Sequence, residues 1–424
     1  MCLKQIFTLI VACSFLPLAL WAQPAQQPSL PVFNGALAAK RASFYNRTVN
    51  ETILANLNSN LNSENEEKWI AAFSAINLLQ YKTDFSYHKI DSLAHHLTGR
   101  SIEFKKAFLE LINSDYPKKY IPQVKEVLKD SLHDAALIGM AANYIMQSGN
   151  ENDIILIKFV LQNALIDFPG NIILTEMLYR ASYWQKPETI PNPAIFFSPN
   201  YLPGQILVIS LQRNNRNYAG LVIVRRADGS FVRNPDSSIF HVGQLARSAS
   251  NMPSVISMGN TPQGIFRMDG FDVSKGYFIG PTTNIQLTMP FEFKASHFFN
   301  NMNDSTWSIE KYESLLPKNF VGYHPMYETY YAGKAGRNEI IAHGTTVNPE
   351  YYKDEPYYPF TPTAGCLATE ECWAASNGML VKSGQLKLVN AIKEAGGPHG
   401  YFIVLNIDNM NAPVTMADIE NYIK

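Results

Sequence analysis

The sequence predicts a multidomain chain, an all-α helical domain followed by a mainly β domain, on three observations. Residues 61–184 repeat their apolar positions at helical spacing. Pro187, Pro191, Pro193, Pro199 and Pro203 then interrupt any continuous helix. Beyond them the apolar residues fall in short β runs. A length of 424 residues, at roughly 100–200 per domain, suits two or three domains with real cores. With 46% hydrophobic and 17% charged residues and a formal charge of -1, the chain is neither a disordered polymer nor a strongly basic nucleic-acid binder. Four cysteines do not make a disulfide-dense scaffold.

Residues 1–22 read as a signal peptide: Lys4 supplies a positive start, Ile6 to Trp21 is almost unbroken apolar sequence, and the cut follows Ala22. The run is too short and wrongly flanked for a membrane span, and no later stretch approaches the ~20 apolar residues that a span needs. The expectation is an exported protein of the periplasm or cell envelope without a transmembrane anchor. Ile10-Val11-Ala12-Cys13 offers a lipoprotein alternative, disfavoured because the apolar run continues past Cys13. Cleavage would remove Cys2 and Cys13 and leave Cys366 and Cys372.

Residues 23–60 are polar and patternless and predict a lead-in with one short helix. Within 61–184, Ser63-x-x-Glu66 has the form of a capping box before Trp69, Ile70, Phe73, Ile76 and Leu79. Ser101 can cap the helix of Phe104, Ala107, Phe108 and Leu111, and Ser131 and Asp134 open the one through Leu137, Ile138, Ala141 and Tyr144. Starts near 66, 101 and 131 recur at the scale of a helix hairpin. The expectation is a right-handed stack of helix pairs, loosely similar to HEAT-type repeats, with a surface for a protein partner. A plain supporting bundle is the alternative. His88, His95 and His96 read as solvated surface residues.

Residues 185–204 are the Pro-rich linker, and 205–424 form the second domain. Ile206–Ser210 and Leu221–Val224 predict strands, the second leading into an Asp228-Gly229 turn. A helix is expected around Leu386–Lys393 and a last strand at Tyr401–Asn406.

The chemistry concentrates in Thr363-Ala364-Gly365-Cys366 and in His343-Gly344-Thr345, which follows a short apolar strand. A thiol becomes an effective nucleophile when an imidazole takes its proton, so Cys366 with His343 is the minimum pair for acyl transfer. Gly365 permits a tight turn, and the amides around Gly365 and Cys366 can stabilise an oxyanion. If His343 activates Cys366, acylation should rise through the imidazole titration near about 6.5. The chain has no His-Glu-x-x-His or paired Cys-x-x-Cys motif and no phosphate loop, so no metal, cofactor or nucleic acid is expected.

Taken together, these segments resemble the catalytic domain of the L,D-transpeptidase (YkuD-type) family, marked by a strand ending in His-Gly and a later Ser-His-Gly-Cys. His343-Gly344-Thr345 matches the first part, and Thr363, Gly365, Cys366 and Leu367 match much of the second. Gly259-Asn-Thr261-Pro262-Gln-Gly264-Ile-Phe266-Arg267 is similar to the family's Thr-Pro-x-Gly-x-Phe segment, and the agreement in order spans about Gln205 to Ile407. The resemblance implies a cofactor-free transferase that acts on peptidoglycan stem peptides in cell-wall biogenesis. Cys366 would form the acyl-enzyme, His343 would be the base with Gly344 orienting it through its carbonyl, and Gly365 and Cys366 would supply the oxyanion amides. Thr345, Thr363, Arg267, Tyr357 and Tyr358 are weaker substrate-binding candidates.

Departures are equally specific. Ala364 and Ala368 stand where the family has a histidine and an Arg or Asn, and His343 and Cys366 are 23 positions apart. The intervening Glu350–Pro359 holds four tyrosines, readable as an aromatic lid or as an inserted surface loop. Arg267, Tyr323 and Lys334 are candidates for the missing polar groups. A disulfide from Cys366 to Cys372 would silence the nucleophile. Pairing Cys366 with His399 in the papain order is disfavoured, because Gly396-Gly-Pro-His399-Gly400 reads as a turn. The alternatives to a transpeptidase are an L,D-carboxypeptidase or endopeptidase, or a catalytically degenerate envelope-binding scaffold.

Overall fold

The computed structural model describes residues 30–130, 133–299 and 305–423. The signal segment, with Cys2 and Cys13, and the proposed cap Ser131 lie outside these residues. A helical region is followed by a mixed-sheet domain. The polar lead-in contains more helix than its composition suggests: α1 (Ala38–Arg47) continues through a π-helical stretch, Thr48–Leu54, into α2 (Ala55–Asn58). Val49, Ile53 and Leu57 recur at every fourth position and are buried in the helical core, which holds the segment despite its polar neighbours.

The helices that follow are α3 (Glu66–Leu79), α4 (Asp84–Ala94), α5 (Ile102–Asp115), α6 (Ile121–Lys129), α7 (Ala135–Met146), α8 (Glu151–Asp167) and α9 (Ile172–Ser182). α3, α5, α7 and α9 pack side by side in that order, while α6 and α8 lie against α7, and α8 also against α9. Ser101 accepts the Phe104 N–H at 3.2 Å and Asp134 the Leu137 N–H at 2.7 Å, closing the open N-termini of α5 and α7. The expected Ser63/Glu66 box does not form. Asn65 is the N-cap of α3, and Glu66 instead accepts the Ser101 N–H at 3.2 Å and faces Arg100 at 3.5 Å, tying two helix starts together.

The sheet domain opens with α10 (Ala194–Phe197), β1 (Leu207–Arg213), β2 (Gly220–Arg225), β3 (His241–Gln244), β4 (Gly264–Val273) and β5 (Thr283–Thr288). It continues through α11 (Ala295–Phe299), α12 (Ile309–Glu313), α13 (Glu328–Lys334), β6 (Ile341–His343), β7 (Leu367–Ala368), β8 (Glu371–Trp373), β9 (Leu380–Ser383), α14 (Gly384–Glu394) and β10 (Gly400–Asp408). Eight strands form one sheet in the order β3-β2-β1-β10-β4-β5-β6-β7, and β8 and β9 form a separate pair. β1 runs parallel to β10, and β6 runs parallel to β7.

The sheet curls nearly into a barrel. Just past β3, Leu245 exchanges both backbone hydrogen bonds with Ala368 of β7, at 2.8 and 2.9 Å, so the two edges of the sheet meet. Alternation divides the strands between two cores. Leu207, Ile209 and Leu211 pack with Phe196, Tyr312 and Phe320, whereas Val208, Val222 and Val224 pack with Leu388, Val389 and Ile392 of α14.

Helices and sheet share a core. Met252, Val255 and Ile256, from the loop before β4, are buried in the same cluster as the apolar faces of α3, α5 and α7. Around them Asn77 donates to Ala249 O at 3.3 Å, Asn113 to Ser250 O at 2.9 Å, and Arg247 to Ser114 Oγ at 2.9 Å.

Candidate active site

The parallel pairing of β6 with β7 sets Ala342 opposite Leu367 and His343 opposite Ala368. Cys366 precedes β7 by one residue, so it sits diagonally from His343 across the two chains, with α-carbons about 8 Å apart for ordinary strand spacing and rise. Both line one cavity of about 330 Å³. Its sheet-side wall also includes Thr345, Thr363 and Ala364, and its roof is α3 and α5, through Phe73, Leu78 and Glu110.

The turn before the cysteine is fastened from within and below. The Thr363 hydroxyl donates to Cys366 O at 2.8 Å and accepts the Gly365 N–H at 3.0 Å, while the Thr261 hydroxyl donates to Gly365 O at 2.8 Å. Gly365 has φ +119°, and a Cβ there would lie 2.0 Å from an Arg337 nitrogen and 2.6 Å from Gly259 O. Only glycine fits. The guanidinium beneath is buried and donates to Asn260 O at 2.7 Å and, by closer contacts, to Ser254 O and Gly259 O. Its hydrogen-bond partners are thus neutral carbonyls, and its charge interacts with Cys366 and, to a smaller extent, with Glu328.

Cys366 Sγ accepts the Ile341 N–H at 3.5 Å and donates to Glu339 O at 3.7 Å. Glu339 is held in the left-handed region, φ 59°, and its N–H donates to Glu292 at 2.6 Å. Burial pushes the Cys366 thiol above its ordinary pKa, against the opposing pull of the Ile341 N–H and Arg337. His343 is 4% exposed, and burial lowers its imidazole from 6.5 to about 4, with the Gly344 carbonyl opposing. Nδ1 contacts that carbonyl, which can only accept, so the neutral ring carries its proton on Nδ1 and leaves the Nε2 lone pair available. The resting pair is therefore neutral thiol and neutral imidazole. The expected imidazole titration near about 6.5 does not apply to so dry a ring.

Thr345 lies beside His343, with its hydroxyl 2.8 Å from that of Thr361 and its N–H donated to Glu371 at 3.0 Å. Glu371 also accepts from Ser383 at 2.6 Å, and burial raises its carboxyl from 4.5 to about 7. Gly344 rests on this carboxyl; a Cβ there would lie 2.1 Å from it. In the roof, burial raises Glu110 to about 6, with Lys106 opposing.

Other sequence candidates lie elsewhere. Arg267, on β4, bonds Asp269 at 2.7 Å and is not part of the cavity wall. Tyr323 is buried in the α12 side core, and Lys334 is exposed. The cation at the nucleophile is Arg337, three residues beyond Lys334, and its sequence position carries no signal because its partners are backbone carbonyls from residues 254–260. Tyr357 is 2% exposed and packs against Tyr352 and under Arg247, while Tyr358 is at the surface with its hydroxyl donated to Glu350 at 3.0 Å. Tyr352 donates to Leu78 O at 2.9 Å, and Glu355 pairs with Lys82 at 3.0 Å. This loop is a strut between helices and sheet. Cys366 and Cys372 are both free, the second exposed on β8.

Among the described residues no His/Cys/Asp/Glu group could hold a metal ion, and no helix is long and apolar enough to cross a membrane. Comparisons with protein-family models, with curated proteins and with solved structures find no match to the chain.

Proposed function

We propose that this protein is an exported cysteine acyltransferase of L,D-transpeptidase type, acting on peptidoglycan stem peptides. The observation that carries the reading is the placing of Cys366 and His343 on adjacent parallel chains, opening into one largely apolar cavity. Localisation rests on the Lys4 to Ala22 pattern, and the substrate class on the family resemblance.

In this mechanism Sγ attacks the carbonyl carbon of the L-residue before a terminal D-residue, and its proton passes to His343 Nε2 as the S–C bond forms. Neutral partners make that transfer concerted with attack. The Gly365 N–H is engaged by Thr363, so the oxyanion donor that the turn can offer is the Cys366 amide, with Arg337 adding positive potential from beneath. Collapse of the intermediate breaks the C–N bond, His343 returns the proton to the departing amine, and a thioester remains. An acceptor amine then attacks the thioester, gives a proton to His343 and expels the thiol. Glu110, a carboxylate above about pH 6, would draw the acceptor in as an ammonium and take the proton whose loss frees the amine to attack. Water in place of the amine would give a carboxypeptidase or endopeptidase.

Intact mass of the protein before and after exposure to a carbapenem tests the reading. The expected result is one adduct mapped to Cys366 and absent from Cys366→Ala, followed by L,D cross-links when stem peptides are supplied. Failure of both, with the Cys366 thiol demonstrably free, would point to a binding scaffold, the reading that Ala364, Ala368 and the α3/α5 roof favour.

A further inference from the structure

The segment that supports the Cys366 turn is a partition between two cavities. Ala249, Ser250 and Met258 face the first, whereas Asn251 and Asn260 face a second, of about 390 Å³, between α9 and the sheet domain. Arg216, at the second cavity, donates to Thr261 O at 3.4 Å, and Thr261 in turn donates to Gly365 O at 2.8 Å. The two cavities are thus joined through one residue.

One wall is aromatic. Tyr179 is held between His324, with ring centroids 3.7 Å apart, and Tyr183, at 4.7 Å, and His324 Nε2 is fixed by Glu176 at 2.9 Å. Tyr183, at the end of this stack, and Trp184, next to it in the chain, remain 43% and 37% exposed, and the Trp184 indole N–H has no partner among the described residues. The lining also holds planar amides, Asn214, Asn251, Asn260 and Asn406, and the charged Glu176, Arg180, Glu188 and Glu328. Asn251 accepts from Asn260 at 2.9 Å and Asn214 from Asn406 at 2.6 Å, which fixes both amides and leaves the Asn251 and Asn214 nitrogens unpartnered among the described residues. The Arg216 guanidinium is buried, with hydrogen bonds to neutral oxygens of Arg213, Asn406 and Thr261.

A pyranose ring has an apolar C–H face and a rim of hydroxyls that pair with planar amides. Exposed flat rings and unspent amide donors lining one cavity, within the roughly 300–1,000 Å³ of small-molecule sites, match that chemistry. We propose that the second cavity is a sugar-binding site, with Tyr183 and Trp184 as the stacking platform and Asn251 and Asn214 as hydroxyl or acetamido partners. The further assignment to an N-acetylated sugar of the glycan strand rests on the proposed function. The site would hold the strand behind the turn whose other face takes the stem peptide.

Titration calorimetry with the tetramer of N-acetylglucosamine, and with maltotetraose as the non-acetylated counterpart, tests this. Saturable binding of the acetylated tetramer is expected, weakened about tenfold or more in Trp184→Ala and Tyr183→Ala. Thermal stability should be unchanged in Trp184→Ala and lowered in Tyr183→Ala only by the lost contact with Tyr179, and the Cys366 carbapenem adduct should be unchanged in both variants. Binding of neither oligosaccharide, or binding indifferent to both substitutions, would overturn the proposal. Binding of maltotetraose alone would keep a sugar site and overturn the glycan-strand assignment. Sugar binding that survives in a protein with no Cys366 acylation would count against the enzymatic reading and leave the sugar site standing.

Discussion

At the scale of residues, burial governs the candidate chemistry. His343 stays neutral down to about pH 4 and the Cys366 thiol is raised, so carbapenem acylation is expected to show no inflection near about 6.5 and to climb on the alkaline side. Adduct formation followed by mass spectrometry from mildly acidic to alkaline pH checks this; an inflection near the free imidazole value would mean a solvated His343. Stability carries a second signature. The Glu371 carboxyl is raised from 4.5 to about 7, so its protonated form stabilises the native state at low pH, and that contribution is lost as pH rises through about 7. His343 acts in the opposite sense, because its depressed pKa costs native stability as pH falls from 6.5 towards 4. Replacing Glu371→Gln removes the first effect. Its stability relative to wild type should rise by up to about 3 kcal/mol between acidic and neutral-to-alkaline pH in urea unfolding. A difference that is flat with pH would show a carboxyl ionising normally.

Among elements, the tyrosine-rich loop between β6 and β7 matters most to the site. It leaves β6 after His343 and returns to β7 after touching α3, so it fixes the roof of the cavity relative to its floor. Tyr352→Phe removes one hydroxyl donor to Leu78 O while keeping the buried ring. The expected cost is about 1 kcal/mol in thermal unfolding, with faster amide exchange at the C-terminal turn of α3. Unchanged exchange there would show that the loop does not brace α3. The same loop explains the wide spacing between His343 and Cys366: β6 and β7 are parallel neighbours, and parallel neighbours require a crossover.

For the whole molecule, the decisive feature is the core common to the helices and the 252–256 segment. Helices and sheet should unfold in one cooperative transition. Ile256→Ala is expected to lower that single transition by about 2–5 kcal/mol, reported equally by far-UV and near-UV circular dichroism. Two separated transitions, only one of them shifted, would refute a shared core.

Local physics made much of this legible in the chain itself. The apolar period identified the helices after 61, Ser101 and Asp134 marked helix starts, the short apolar runs at 206–210 and 221–224 identified strands, and the chemistry of thiol, imidazole and glycine singled out His343 and Cys366. The sparse apolar positions of 38–58 hid a helical segment, since Val49, Ile53 and Leu57 are informative only once α3 is there to cover them. Arg337, Glu371 and the α5 residue Glu110 were equally hidden, as was the hold of Thr261 on the Gly365 carbonyl. Their roles depend on partners dozens to hundreds of positions away, on carbonyls that any sequence supplies, and on a dryness that only packing creates. Secondary structure and the reactive groups follow from neighbours along the chain, whereas the protonation state of the thiol and imidazole, the roof over them and the cavity behind them are set by contacts across it.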